Sequence, residues 1–209
     1  MKLDEVLNRR YPGGYQTDSI YESPQMVPNT EFGLSKDASN EKFAAELLKK
    51  RKHTYEETDD KILFKTGDGV NGYIALLNKG SSLLDYVIKY EGSKRKALGR
   101  AVTQVMIWRR RGSPYVQGLT RKVFFEILLK EWPAIMSDRQ QTEDGMMFWD
   151  DRMAEATTMN LKVGLFHEGG APIEWFDGKP KDYQKWIRSH EGWGDSHKFT
   201  DVRYVISSS

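Results

Sequence analysis

Three consecutive arginines, Arg109, Arg110 and Arg111, stand at the end of an apolar run and directly before Gly112. Planar guanidinium groups match phosphate oxygens in pairs, so the cluster reads as an anion-binding element. The anion is a phosphate group or a nucleic-acid backbone. The plain structural counterpart is a solvated strand end. Lys94, Arg95, Lys96 and Arg100 lie on the preceding turn, and the two groups are expected to form one basic patch. The chain carries 32 Lys and Arg against 30 Asp and Glu, a net charge of +2. Bulk charge therefore gives no reason to expect a polyanionic partner; only local clustering does.

Other side chains capable of chemistry are sparse. Asp138 follows a short apolar segment, and Thr142 lies four residues on. They can belong to a site, or Asp138 can close a turn while Thr142 caps the next helix; the structural roles are the favoured reading. His53, His167, His190 and His197 show no metal-ligand spacing, and no metal is expected. Cysteine is absent, which excludes disulfides, thiolate ligands and a cysteine nucleophile. No phosphate-binding GxxxxGK loop, dinucleotide fingerprint, HExxH or GxSxG occurs, so nucleotide hydrolysis and triad hydrolysis are not expected. Trp175, Trp186 and Trp193, with Phe176 and Tyr183, enrich residues 169–194 in aromatics. Such a group either stacks on a base or sugar or forms a small satellite core, and the core is favoured.

The elements that would position these residues follow from hydrophobic spacing. Residues 1–37 contain Pro12, Gly13, Gly14, Pro24, Pro28 and Gly33 and read as an extended arm. Its Tyr15, Ile20, Tyr21, Met26, Val27 and Phe32 suit an arm laid on a partner protein or a second copy. A helix is predicted from Ser39 or Asn40, which serve as caps, with Phe43, Ala44, Leu47 and Leu48 inward. Four strands follow as an antiparallel meander: 61–65, 70–77, 83–90 and 101–108. Leu84, Tyr86, Ile88 and Tyr90 are expected on one face. Helix 119–132 presents Leu119, Val123, Phe124, Ile127 and Leu128. Strand 134–136, a helix from Thr142 to about Ala156, strand 161–166, a helix at 181–189 and strand 201–207 complete the chain. In the last strand Val202, Tyr204 and Ile206 alternate with Arg203 and Val205. No apolar run is long enough to span a membrane, and the first residues lack a signal-peptide core. A cytoplasmic location is expected.

This order, with the stretch SDRQQTEDGMMFW after strand 134–136, resembles the GNAT (Gcn5-related N-acetyltransferase) superfamily, including small phage-encoded members. The resemblance covers roughly residues 40–209. It implies an α+β fold with a mixed, mostly antiparallel central sheet flanked by helices, here preceded by the arm. It also implies that two neighbouring strands splay to admit acetyl-CoA or another acyl-CoA, whose pyrophosphate sits on the turn before the 119–132 helix. The family form of that turn is Arg/Gln-x-x-Gly-x-Gly/Ala. The residues carried over are Arg109, Arg110, Arg111, Gly112, Gln117, Gly118, Leu119 and Thr120. The family's acid–base pair has no direct counterpart; Tyr115 and His167 are the nearest groups by segment. Two activities are consistent with the resemblance. One is acyl-CoA-dependent N-acyl transfer. The other is a non-catalytic phage protein, structural, virion-associated or bound to a host factor, in the host cytoplasm or the virion.

Overall fold

A computed structural model describes residues 34–138, 143–170, 172–189 and 202–208. Most of the arm (residues 1–33), Thr142, His190, Trp193 and His197 lie outside the described residues.

The fold is α+β, with one nine-stranded, mostly antiparallel sheet flanked by four helices. Helix α1 (Asp37–Lys49) comes first. Five strands follow as a meander: β1 (Arg51–Glu57), β2 (Lys61–Thr66), β3 (Asn71–Asn78), β4 (Leu83–Arg95) and β5 (Gly99–Arg109). Helix α2 occupies residues 119–131. It opens as α over Leu119–Arg121, widens to π over Lys122–Leu128 and closes as α over Leu129–Glu131. Strand β6 (Ala134–Met136), helix α3 (Glu143–Thr158), β7 (Lys162–His167) and β8 (Glu174–Trp175) come next. A 3-10 turn (Pro180–Asp182) leads into α4 (Tyr183–Ser189), and β9 (Val202–Ser207) follows. The strand order is β1-β2-β3-β4-β5-β6-β9-β7-β8.

Alternation along the strands divides the core between two faces. One face carries Leu63, Ile74, Tyr86, Ile88, Val102, Ile135 and Tyr204 against Val123, Phe124, Leu128, Trp149 and Met153 of α2 and α3. On the other face α1 sets Ala44 and Leu47 on Ile62, Phe64, Ala75 and Val87. Further along that second face, Ala101, Ala134, Met136, Phe166 and Val205 form a separate group. Gly92 lets the Trp132 ring lie flat on β4: a Cβ there would stand 2.2 Å from the ring.

Several expectations are corrected. Helix α1 begins at Asp37, and Lys36 at its N-cap makes no side-chain cap. Asn40 lies inside the helix, buried, and bonds the Leu34 carbonyl at 3.2 Å, the Leu84 carbonyl at 3.0 Å and the Leu84 amide at 2.7 Å. Strand β1 was not expected, because RKHTYEE has no apolar alternation; it is held as an edge by β2. Leu84 does not share a face with Tyr86. The pairing jumps from Leu76↔Tyr86 to Leu77↔Leu84, so Asp85 is bulged out and Leu84 turns to the α1 side. Of the aromatics at 169–194, Phe176, Tyr183 and Trp186 pack together and join the main core, whereas Trp175 packs on the separate Ala101–Val205 group.

Candidate functional site

Strands β5 and β6 are parallel neighbours over only three pairs, Ala101↔Ala134, Val102↔Ile135 and Thr103↔Met136. Beyond Thr103, β5 runs on through Gln104 to Arg109 without a β6 partner. On the α2–α3 face beside the end of β6, Trp149 donates its indole N–H to Gln104 Oε1 at 2.9 Å.

On the opposite face lies a cavity of about 290 Å³, lined by Asn71, Glu91, Gly92, Ser93, Arg95, Thr103, Asp138 and Arg203. The register explains the grouping. Glu91 pairs with Thr103 and Ser93 with Ala101, so these four residues share this face. Val205 belongs to the same side, which brings Arg203 inward from β9. Asp138 enters from the end of β6.

The cavity is charged but organised. Arg203 is only 7 % exposed; it pairs with Glu168 and lies 3.4 Å from Thr103 Oγ1. Arg95 reaches the other oxygen of Glu168 at 3.3 Å, with its guanidinium 5.9 Å from the Phe166 ring centre. One carboxylate thus holds two guanidiniums, and the Glu91 and Asp138 carboxyls line the same cavity. The Ser93 hydroxyl and Arg95 Nε are buried and meet no hydrogen-bond partner among the described residues. Burial lifts the Asp138 carboxyl from 3.8 to about 7, against the pull of the Arg203 charge. A carboxyl poised there exchanges protons readily near neutrality.

The residues expected at the phosphate turn have diverse fates. Arg111, Gly112, Gln117 and Gly118 are exposed. Gly118 has φ 68°, and nothing lies within 4 Å of where its Cβ would be. Leu119 and Thr120 are buried; the Leu119 amide bonds the Val116 carbonyl at 3.1 Å. The Thr120 hydroxyl lies beside that of buried Tyr86. Arg110 is committed elsewhere, its guanidinium to Asp37 and its amide to the Asp85 carbonyl at 2.8 Å. Arg109 pairs with Tyr86 in the β4–β5 register.

The single basic patch does not form. Arg95 pairs with Gly99 at one end of the hairpin and Tyr86 with Arg109 at the other. The intervening strand separates the two cation groups by about 30 Å. Arg95 turns into the cavity, and Arg100 lies over the Trp132 ring at 4.8 Å. Tyr115 and His167 are not brought together either. Tyr115 lies by Lys61 of β2, 5.8 Å from Nζ to the ring centre. His167 ends β7, with Nε2 2.9 Å from Glu174 Oε1. Six strand spacings, about 29 Å, lie between those strands.

Sequence reasoning passed over Ser93, Thr103 and Arg203 as site residues, and it favoured a structural role for Asp138. One signal was present. Arg203 falls within a short apolar strand whose two faces are both buried, and a charge in such a strand needs a partner inside. No family model matches this chain, and no curated protein or solved structure matches it. Among the described residues no cluster of potential metal ligands occurs, and no helix is long and apolar enough to cross a membrane.

Proposed function

We propose that this chain is a GNAT-like acyl-CoA-dependent N-acyltransferase, with Asp138 as its base. The observation that carries this reading is the end of β6 at Met136, which leaves β5 from Gln104 onward without a β6 partner, with Asp138 lining a cavity at that point. GNAT proteins admit their acyl donor where these two strands cease to pair. The strand order, with β9 between β6 and β7, supports the same relationship.

The fit of coenzyme A to the turn is partial. Arg111, Gln117 and Gly118 are exposed and stand before the positive end of α2, so they would hold the pyrophosphate. Arg110, bound to Asp37, does not contribute. The open edge 104–109 connects this turn to the cavity over roughly 20 Å, a length that suits an extended pantetheine arm.

Bound acyl-CoA supplies an acyl carbon that the acceptor nitrogen attacks, the C–S bond breaking with its electron pair left on sulfur. The chain's own residues prepare the nitrogen. Ionised Asp138 takes a proton from the acceptor ammonium and returns it to solvent, leaving the lone pair free. It then takes the second proton that the nitrogen loses as the amide forms, and solvent protonates the departing thiolate. The remainder of the catalysis is alignment.

Calorimetry with acetyl-CoA tests the reading: saturable heat is expected, and no heat at millimolar ligand sinks it. One observation favours a second reading, a non-catalytic phage protein that is structural, virion-associated or bound to a host factor. The turn satisfies several of its amides internally, and Arg110 is withdrawn. That reading predicts no coenzyme A binding, together with protection of residues 1–37 from protease on assembly.

A further inference from the structure

We propose that two copies of this chain associate along their β1 edges, antiparallel and related by a two-fold axis near Thr54 and Tyr55. Strand β1 ends the sheet and pairs with β2 on one side only. Its other side has no strand partner among the described residues, and such an edge is a template for another chain.

Charge selects that chain. Lys49, Lys50, Arg51, Lys52 and His53 are consecutive and exposed where α1 passes into β1. Lysines nearby are answered: Lys61 by Glu56 at 2.9 Å, Lys79 by Glu57 at 2.8 Å and Lys122 by Glu56 at 2.6 Å. Lys49, Lys50 and Lys52 meet no carboxylate among the described residues. Arg51 has a half-exposed pair with Glu57 at 3.8 Å, of a kind that holds little.

The other end of β1 has the opposite sign. Glu56 and Glu57 are taken by those lysines, but Asp59 and Asp60 just beyond are exposed and meet no cation among the described residues. Arg51 and Glu57 stand opposite Thr66 and Ile62, so about 13 Å of strand separates the two ends. An antiparallel second copy sets each basic end on the other's acidic end, twice over. A parallel copy sets like on like, and a polyanion answers only the basic end. The pairing of β1 with β2 is irregular at Lys52 and Tyr55, which interrupts a regular ladder. The charged ends therefore hold more of the contact than the backbone does.

Sedimentation equilibrium on the full chain tests this. A contact of one strand edge is small, so a monomer–dimer equilibrium with a Kd of about 10–100 μM is expected at low salt, weakening at least about tenfold by about 0.5 M salt. Lys49→Glu, Lys50→Glu and Lys52→Glu together make both ends acidic; Asp59→Lys with Asp60→Lys makes both basic. Each variant alone should associate at least about tenfold more weakly. Mixed in equal amounts, the two should form a heterodimer at close to wild-type affinity, since every end then meets its opposite. All five side chains are exposed. If either variant loses its circular dichroism, Lys52→Glu and Asp59→Lys replace the sets, with the same pattern expected.

The proposal is overturned if the chain stays monomeric at about 1 mM in low salt. It is equally overturned if a dimer survives in both variants, which places the contact elsewhere, or if mixing them restores nothing. Binding of a short DNA duplex that is lost in the lysine variant, with no dimer formed, would also overturn it and give the basic run to a polyanion.

Discussion

The proposed acyl transfer turns on Asp138, and the titration of that residue makes the role testable. Burial raises its carboxyl from 3.8 to about 7, so below about pH 4 the group is protonated in folded and unfolded chains alike and has no effect on the balance. Between those values the folded state keeps a proton that the unfolded state has lost. Stability therefore falls as pH rises toward 7 and levels off above it. Three units at about 1.4 kcal/mol each set an upper bound of about 4 kcal/mol. Asp138→Asn removes the ionisation, so the variant should gain on the wild type in urea midpoint from pH 4 to pH 8; parallel curves would contradict the burial. Acyl transfer should show the opposite trend. Wild-type kcat/KM should climb through about pH 7 as the base ionises, and Asp138→Asn should lose about 10²–10⁴-fold of it. Asp138 was legible in the sequence as a residue ending a strand. Its environment was not, because Ser93, Arg95, Thr103 and Arg203 reach it from three other strands with no local signature. Arg203 came nearest to giving it away, as a charge in an apolar strand.

At the scale of elements, the strands with strong alternation were legible and the exceptions have physical causes. Strands β3 to β5 and the apolar stripe of α2 follow directly from spacing. Strand β1 did not, because an edge strand with one face in solvent tolerates RKHTYEE, and only pairing to β2 reveals it. The bulge at Asp85 was equally hidden, since alternation assumes an unbroken register. That bulge is also where α1 is tied to the sheet. Asn40 answers both the N–H and the carbonyl of Leu84, groups left without their regular ladder positions by the jump in pairing. Asn40→Ala should leave three buried backbone groups unmet, the Leu34 carbonyl among them, and cost about 3 kcal/mol. The measurement is a urea midpoint at unchanged m-value. Asn40→Asp keeps an acceptor for the Leu84 amide but sets oxygen against the Leu84 carbonyl, so it should be no better. A loss under about 0.5 kcal/mol in both would mean that α1 is held by Ala44 and Leu47 alone.

For the molecule as a whole, the register of β4 and β5 decides how its positive charge can act. Read along the chain, Lys94 to Arg100 and Arg109 to Arg111 are near neighbours. In the fold they occupy opposite ends of one hairpin, about 30 Å apart. Several of these cations are also engaged: Arg95 with Glu168, Arg100 on Trp132 and Arg110 with Asp37. A nucleic-acid interface needs cations arrayed along a backbone, and its affinity falls with salt in proportion to the phosphates neutralised. Lys94 and Lys96, exposed at one end, can neutralise two phosphates between them, which predicts a slope of about −2 in log affinity against log salt. Binding to a short DNA duplex should therefore be weak at physiological salt, with a Kd no tighter than about 10⁻⁶ M. It should also be indifferent to replacement of Arg109, Arg110 and Arg111 by Ala. A nanomolar Kd, a slope steeper than about −6, or its collapse in the triple variant would show that the two cation groups work as one surface.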